Sequence, residues 1–159
     1  MLQRVRQGGY RFIEVPELVR NPAPLKDIKC LNKLKKLLAE LEPDIVHTHS
    51  AKAGVLGRVA AGKYRQEQFA SCCGRISKFR QAQAACRRPH PLIIHTWHGL
   101  PFNRFQNPIK NRLAITLERW ADQYTDEYIS VADSMSQQVL AVGIGKGKKF
   151  TRIFSGMIL

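Results

Sequence analysis

No apolar run in this sequence approaches the ~20 residues that a membrane-spanning helix needs. The opening Met1-Leu-Gln-Arg-Val-Arg holds no apolar segment of the roughly 7–15 residues that marks a secretory leader, so a cytoplasmic location is expected. Acids are scarce: 12 Asp and Glu stand against 26 Lys and Arg, a formal net charge of +14. That imbalance predicts attraction to something anionic, whether nucleic acid, an acidic membrane face or phosphorylated substrates, and charge alone does not choose. There are only 4 cysteines. Cys30 sits in a helical pattern and is expected to be a small buried group. Cys72, Cys73 and Cys86 fall in a basic segment near His90, but an adjacent Cys pair fits the spacing of a zinc site poorly, so structural or incidental thiols are expected ahead of metal. A Walker loop, a metalloprotease helix, a nucleophile elbow and a known nucleic-acid motif are all missing. Gly143-Ile-Gly-Lys-Gly-Lys follows a helix and precedes a strand, the wrong side of the unit for a dinucleotide fingerprint.

What is present is a chain of 159 residues, 44% hydrophobic, enough for one globular domain with a core. Two stretches organise it, Asp44-Ile-Val-His-Thr-His-Ser50 and Leu92-Ile-Ile-His-Thr-Trp-His-Gly99. Each is an apolar run of strand length that ends in His-Thr with a further His next to it or one residue on. In an open parallel sheet the carboxyl ends of adjacent strands border the ligand crevice, so both runs aim imidazoles and hydroxyls at one place.

In chain order, Leu2 to Gln7 reads as a last helical turn stopped by Gly8-Gly9. Tyr10 to Val15 reads as a strand, and Pro16 to Pro24 as an irregular loop. A helix follows with Leu25, Ile28, Leu31, Leu34, Leu38 and Leu41 on one stripe, stopped by Pro43. After the strand Asp44 to Thr48, Ser50 to Gly54 form a turn into a helix over Ala53 to Ala61. Residues 62–90 read as a basic insertion, its Ala/Gln-rich middle Ser77 to Cys86 compatible with helix. The bland reading is a solvated surface segment; the sharper one is contact with an anionic surface. After the strand Leu92 to Thr96, Asn107-Pro108 starts a helix with the stripe Ile109, Leu113, Leu117, Trp120, Ala121 and Tyr124. Glu127 to Val131 is a strand, Ser134-Met-Ser-Gln137 a capping box, and Phe150 to Phe154 a last strand. Regular alternation predicts an α/β protein, a Rossmann-like open parallel sheet with helices on both faces.

His47 and His95 lie within the apolar runs and are expected to be satisfied core imidazoles. His49 and His98, at the strand ends, stand level between packing and a role in binding a hydroxyl or moving a proton. Lys52 could bind a phosphate or carboxylate, with a solvated lysine as the equal alternative. Trp97 and Phe102 could stack on a sugar ring or lipid, with core packing the default for either. Arg104 could meet an anion or solvent.

The segments Pro43-Asp-Ile-Val-His-Thr-His-Ser-Ala-Lys-Ala-Gly54, His95-Thr-Trp-His-Gly99 and Phe154-Ser-Gly-Met157, in this order, resemble the amino-terminal half of retaining glycosyltransferases of family 4. Pro16-Glu-Leu-Val-Arg20 and Ala141-Val-Gly-Ile-Gly145 look like it too. The resemblance implies half of a GT-B architecture: this half holds the acceptor, and a second half, not in this sequence, holds a nucleotide-sugar co-substrate. It implies no metal and no cofactor. His98 would meet the transferred sugar. His49, Ser50 and Lys52 would form the acceptor-side turn, with Gly99, Trp97, Phe102 and Arg104 in the facing loop and Gly156 at the start of the interdomain linker. The acceptor would be a saccharide or lipid-linked, at the cytoplasmic face of the membrane. Three departures stand out: the first strand with its Gly-rich turn, the whole donor half, and the basic 62–90 insertion in place of a short loop. Residues 1–159 are therefore expected to be an acceptor domain lacking its first strand and inactive alone: a fragment, a truncated gene, or one half of a split enzyme that a donor-domain partner chain would complete. Two other readings stay open: a basic module for anionic membrane or, less favoured, nucleic acid, and a gene remnant without function.

Overall fold

Pro24 opens the first helix, where its missing N–H costs nothing. Helix α1 spans Pro24–Leu41, and the Asp27 carboxylate accepts from the Ala23 N–H at 3.2 Å, steadying its first turn. Glu42 ends it in a left-handed conformation (φ 43°), its N–H donating to Leu38 O at 2.9 Å. Only part of the expected stripe is used. Leu31, Leu34 and Leu38 are half-buried and Cys30 is buried, while Leu25 and Ile28 are 78% and 59% exposed. In this computed structural model, residues 8–9, 11–76, 91–103 and 105–154 are described. The expected helical turn Leu2–Gln7, the helical middle Ser77–Cys86, Arg104 and Gly156 lie outside them.

Strand β1 (Ile45–His49) runs through Ser50 into helix α2 (Ala51–Ile76). The turn expected over Ser50–Gly54 is a single left-handed residue, Ser50 at φ 63°. The helix expected to stop near Ala61 runs on to Ile76, 26 residues in all, so the first part of the supposed insertion is helix. Gly62 is the reason it reads as a break and is not one. A Cβ there would lie 2.5 Å from Tyr124 Cγ, so the glycine makes room for a ring rather than ending a helix. Arg65, counted by charge alone as a surface cation, donates to Asp126 Oδ2 at 2.6 Å and to the carbonyls of Pro91 and Tyr124 at 3.3 Å.

Strands β2 (Leu92–Trp97), β3 (Glu127–Ser130) and β4 (Lys149–Arg152) complete a four-stranded sheet in the order β1-β2-β3-β4, all parallel. Between them lie α3 (Pro108–Asp122) and α4 (Asp133–Ala141). The α/β Rossmann-like parallel sheet read from alternation is the architecture found. Strands that advance in one direction through right-handed crossovers keep their helices on one side. The burial agrees: Ile93, His95, Trp97, Tyr128 and Ser130 are buried on the face that α2, α3 and α4 cover. On the other face Ile45, His47 and His49 are exposed and Leu92, Ile94 and Ile129 half-buried. Helices on both faces, expected from alternation, are thus found on one among the described residues, because no described strand reverses the order.

Local signals fared unevenly. Asn107 caps α3 as its sequence promises, its Oδ1 accepting from Ile109 N at 2.8 Å. The α3 stripe is displaced: Ile109, Leu113, Leu117 and Trp120 are 78%, 60%, 42% and 41% exposed, and the buried side is Ala114, Ile115, Glu118 and Ala121. Small side chains and one carboxylate with a buried partner let α3 approach closely there. Ser134 does not cap α4, which begins at Asp133 after Ala132; Ser136 instead bonds Ser130 Oγ at 2.6 Å, tying helix to strand. Arg11–Val15 forms no strand, since no described edge pairs with it. The main core gathers Trp97, Phe102, Tyr128, Val139 and Ile144; a second, of Val55, Val59 and Ala121, lies under Leu31 and Tyr124.

Candidate active site

Strands β1 and β2 are neighbours with Thr48 opposite His95 and His49 opposite Thr96. That register carries the last residue of β1 and the first residue after β2 to one rim. There His49 Nδ1 lies 2.9 Å from His98 Nε2, the rings stacked at 5.2 Å and 28°. One ring must donate and the other accept, so the contact requires at least one neutral imidazole. His47 joins from β1, its ring 4.3 Å from that of His49 and its Nε2 2.6 Å from Thr96 Oγ1. All three rings are exposed. Partial burial, then the neighbouring His47 and His98, hold the His49 pKa below its ordinary value.

His95 and His47 alternate with the same period in sequence and end differently. His95 is 1% exposed and shares a 2.9 Å hydrogen bond with Thr48 Oγ1. Gly54 of α2 sits over the ring, where a Cβ would come within 2.5 Å of Cε1. Burial, with Arg58 nearby, pushes this imidazole down to about 2. His47 is exposed because β1 is an edge strand and its outer face is uncovered, which corrects the core reading.

The remaining candidates separate. Ser50, left-handed and exposed, makes the turn beside the pair. Gly99 is exposed beside His98, and a methyl group on its Cα would meet nothing within 4 Å. Lys52 turns away: its Nζ donates to Asn21 O at 2.6 Å and pairs with Asp27 Oδ1 at 2.6 Å. Trp97 and Phe102 are core residues at 1% and 6% exposure, so neither offers a ring face for stacking. Arg104 lies outside the described residues.

Sequence reading missed Arg58 and Glu118, which form an ion pair buried between α2 and α3, with Arg58 Nε donating to Gly54 O at 2.9 Å. The guanidinium lies 5.9 Å from the Trp97 ring. Burial pushes the Glu118 carboxyl up, against the pull of Arg58. The signal was available: a charge inside the small and apolar run Val55-Leu-Gly-Arg-Val-Ala-Ala61, and an acid between Ala114 and Ala121. Among the described residues Arg58 Nη1 and Trp97 Nε1 have no hydrogen-bond partner, and no three His, Cys, Asp or Glu side chains are placed to hold a metal ion. No described helix is long and apolar enough to cross a membrane.

Residues 2–150 match the family described as "Glycosyl transferase 4-like domain". The chain is 40% identical over 92 residues to the UDP-Gal:alpha-D-GlcNAc-diphosphoundecaprenol alpha-1,3-galactosyltransferase of Escherichia coli, a match covering 58% of this chain and 18% of that protein. It is 32% identical over 113 residues to the Bacillus subtilis (strain 168) protein named "Putative glycosyltransferase EpsD", covering 70% and 24%. The matches thus span about a fifth to a quarter of those relatives. With the family matched across nearly the whole sequence and the two histidine-bearing strands side by side, the chain belongs to the glycosyl transferase 4-like domain family.

Proposed function

We propose that this chain forms the acceptor-side wall of a glycosyltransferase that moves a hexosyl group, with retention, from a nucleotide-sugar to a saccharide borne on a lipid carrier. The observation that carries the reading is the His49–His98 contact at the rim of two parallel strands. The Escherichia coli relative, whose name gives a diphosphoundecaprenol-linked acceptor, supports the acceptor class. His98 engages His49 through Nε2, which leaves its Nδ1 to meet a sugar hydroxyl. His49 acts through His98 as a positioning residue: its hydrogen bond holds the His98 ring and couples the two tautomers, so that a donating His49 puts the His98 proton on Nδ1. No carboxylate lies in these motifs to form a covalent intermediate, so the chemistry rests on the oriented donor phosphate and fixed dipoles. The donor would be held by a separate domain, and purified 1–159 is expected to show no transfer.

The test is a chimera in which this chain replaces the matched segment of the Escherichia coli relative, assayed for sugar transfer to its lipid-linked acceptor. His98→Ala lowers kcat by about 100-fold or more with KM changing far less. His49→Ala has a smaller effect and moves the pH profile of kcat. Activity of His98→Ala within a few-fold of the parent overturns the assignment.

A further inference from the structure

The loops that carry the histidine pair continue directly into the wall of a cavity of about 370 Å³. Ala51 follows His49 by two residues and Pro101 follows His98 by three, so the cavity opens within roughly 11 Å of chain from the pair. Its surface is almost wholly apolar, from Pro22, Val55, Leu56, Pro101, Leu117 and Trp120. Of its polar groups, Asp27 is met by Lys52 and Glu118 by Arg58, with Arg20 exposed at the edge. A saccharide needs several donors and acceptors around it and meets a lining that is mostly apolar; an apolar chain needs only that lining. One and two helical turns before Leu117 on α3, Leu113 and Ile109 are 60% and 78% exposed. Arg20 is exposed at the rim, and the first turn of α2 lines the mouth beside the pair. Both favour an anionic group just outside the apolar space.

We infer that this cavity takes the first part of the apolar chain of the lipid carrier, with the carrier's phosphate at the Arg20 rim and the borne sugar directed to His49 and His98. The inference rests on the lipid-borne acceptor proposed above and adds where the chain goes. Leu117 and Trp120 line the cavity, and the rest of the chain lies along Leu113 and Ile109.

The experiment titrates the intact 1–159 chain with farnesyl diphosphate and follows tryptophan emission, in which Trp120 is partly exposed and Trp97 is buried. Saturable binding is expected, competed by farnesol and not by inorganic diphosphate. Leu117→Glu, at a position 42% exposed, weakens it about tenfold or more by placing a charge in the apolar space. Trp120→Gln serves as a second variant, its binding read by competition, should Leu117→Glu fail to fold. No saturable binding, equal competition by inorganic diphosphate, or equal affinity in parent and both variants overturns the assignment. So does a dimer that Leu117→Glu dissociates without any loss of farnesyl diphosphate binding, which makes the surface a contact between copies. His98→Ala is expected to bind farnesyl diphosphate as the parent does. If that holds while His98→Ala still transfers sugar in the chimera, the active-site reading fails and the cavity assignment stands.

Discussion

Burial keeps the His95 imidazole neutral down to about pH 2, whereas in the unfolded chain it titrates near its ordinary 6.5. The unfolded state therefore binds a proton that the folded state refuses as pH falls below 6.5. A depressed folded pKa on a base means stability that is full above 6.5 and lost on acidification, by about 1.4 kcal/mol per pH unit from this group. At pH 5 the cost is about 2 kcal/mol. His95→Gln keeps a polar group against Thr48 and removes the titration. Urea unfolding at pH 7.5 and pH 5 is expected to show the parent losing about 2 kcal/mol more than the variant. Equal losses in both would mean that the ring is hydrated. His49 works in the same direction, but its exposure makes the contribution small. The sequence distinguished these residues only in part. His47 and His95 carry the same local pattern, and what separates them is that β2 lies inside the sheet and β1 at its edge, a tertiary fact no periodicity contains.

At the scale of elements, the crossing of α2 with the end of α3 depends on one absent methyl. Gly62 lies against the Tyr124 ring, with positions for a Cβ only 2.5 and 2.7 Å from Tyr124 Cγ and Cβ. Gly62→Ala should gain up to about 1 kcal/mol of helix propensity in an α2 interior. The ring has to move to admit the methyl, at about 1–3 kcal/mol, so the net effect is expected to be destabilising. In a Tyr124→Gly background, which removes the Cβ as well as the ring, the clash is gone, and the same substitution becomes neutral or stabilising. A double-mutant cycle by urea unfolding measures this coupling; a stabilised single Gly62→Ala would show that the two helices do not meet as described. The same glycine explains why the sequence placed the end of α2 too early: in a helical pattern Gly reads as a stop, and only the partner ring reveals it as a packing site. The α3 stripe failed for a related reason. Periodicity found an apolar side, yet the side that packs inward is the one with Ala114, Ala121 and a glutamate whose charge is met by Arg58. Alternation and the Asn107 cap needed no such long-range information, and they were legible.

For the molecule as a whole, the +14 net charge is the property most plainly written in composition, but its location is not. The ion pairs locate part of it. Glu17, Asp27, Glu67, Glu118, Asp122, Asp126 and Asp133 are each matched to a lysine or arginine, so the acids are largely spent on holding elements together. The surplus cations are left to the surface, among them the exposed Lys26 and Lys36 on α1 and Lys110 and Arg112 on α3. On α3 they flank Ile109 and Leu113, a pairing of charge and apolar surface suited to the face of an anionic bilayer. A carrier lipid that supplies the acceptor would be met at that same face. The chain is therefore expected to sediment with vesicles containing anionic lipid and not with neutral ones. Binding should fall steeply as salt rises from about 0.05 M to about 0.5 M, because the Debye length shrinks below the separation of the charges. Lys110→Glu together with Arg112→Glu reverses two of those charges far from the core and should weaken binding about 30-fold or more, at about 1 kcal/mol per cation near the surface. Vesicle binding that is indifferent to salt and to both reversals would mean that the charge excess serves something other than a membrane.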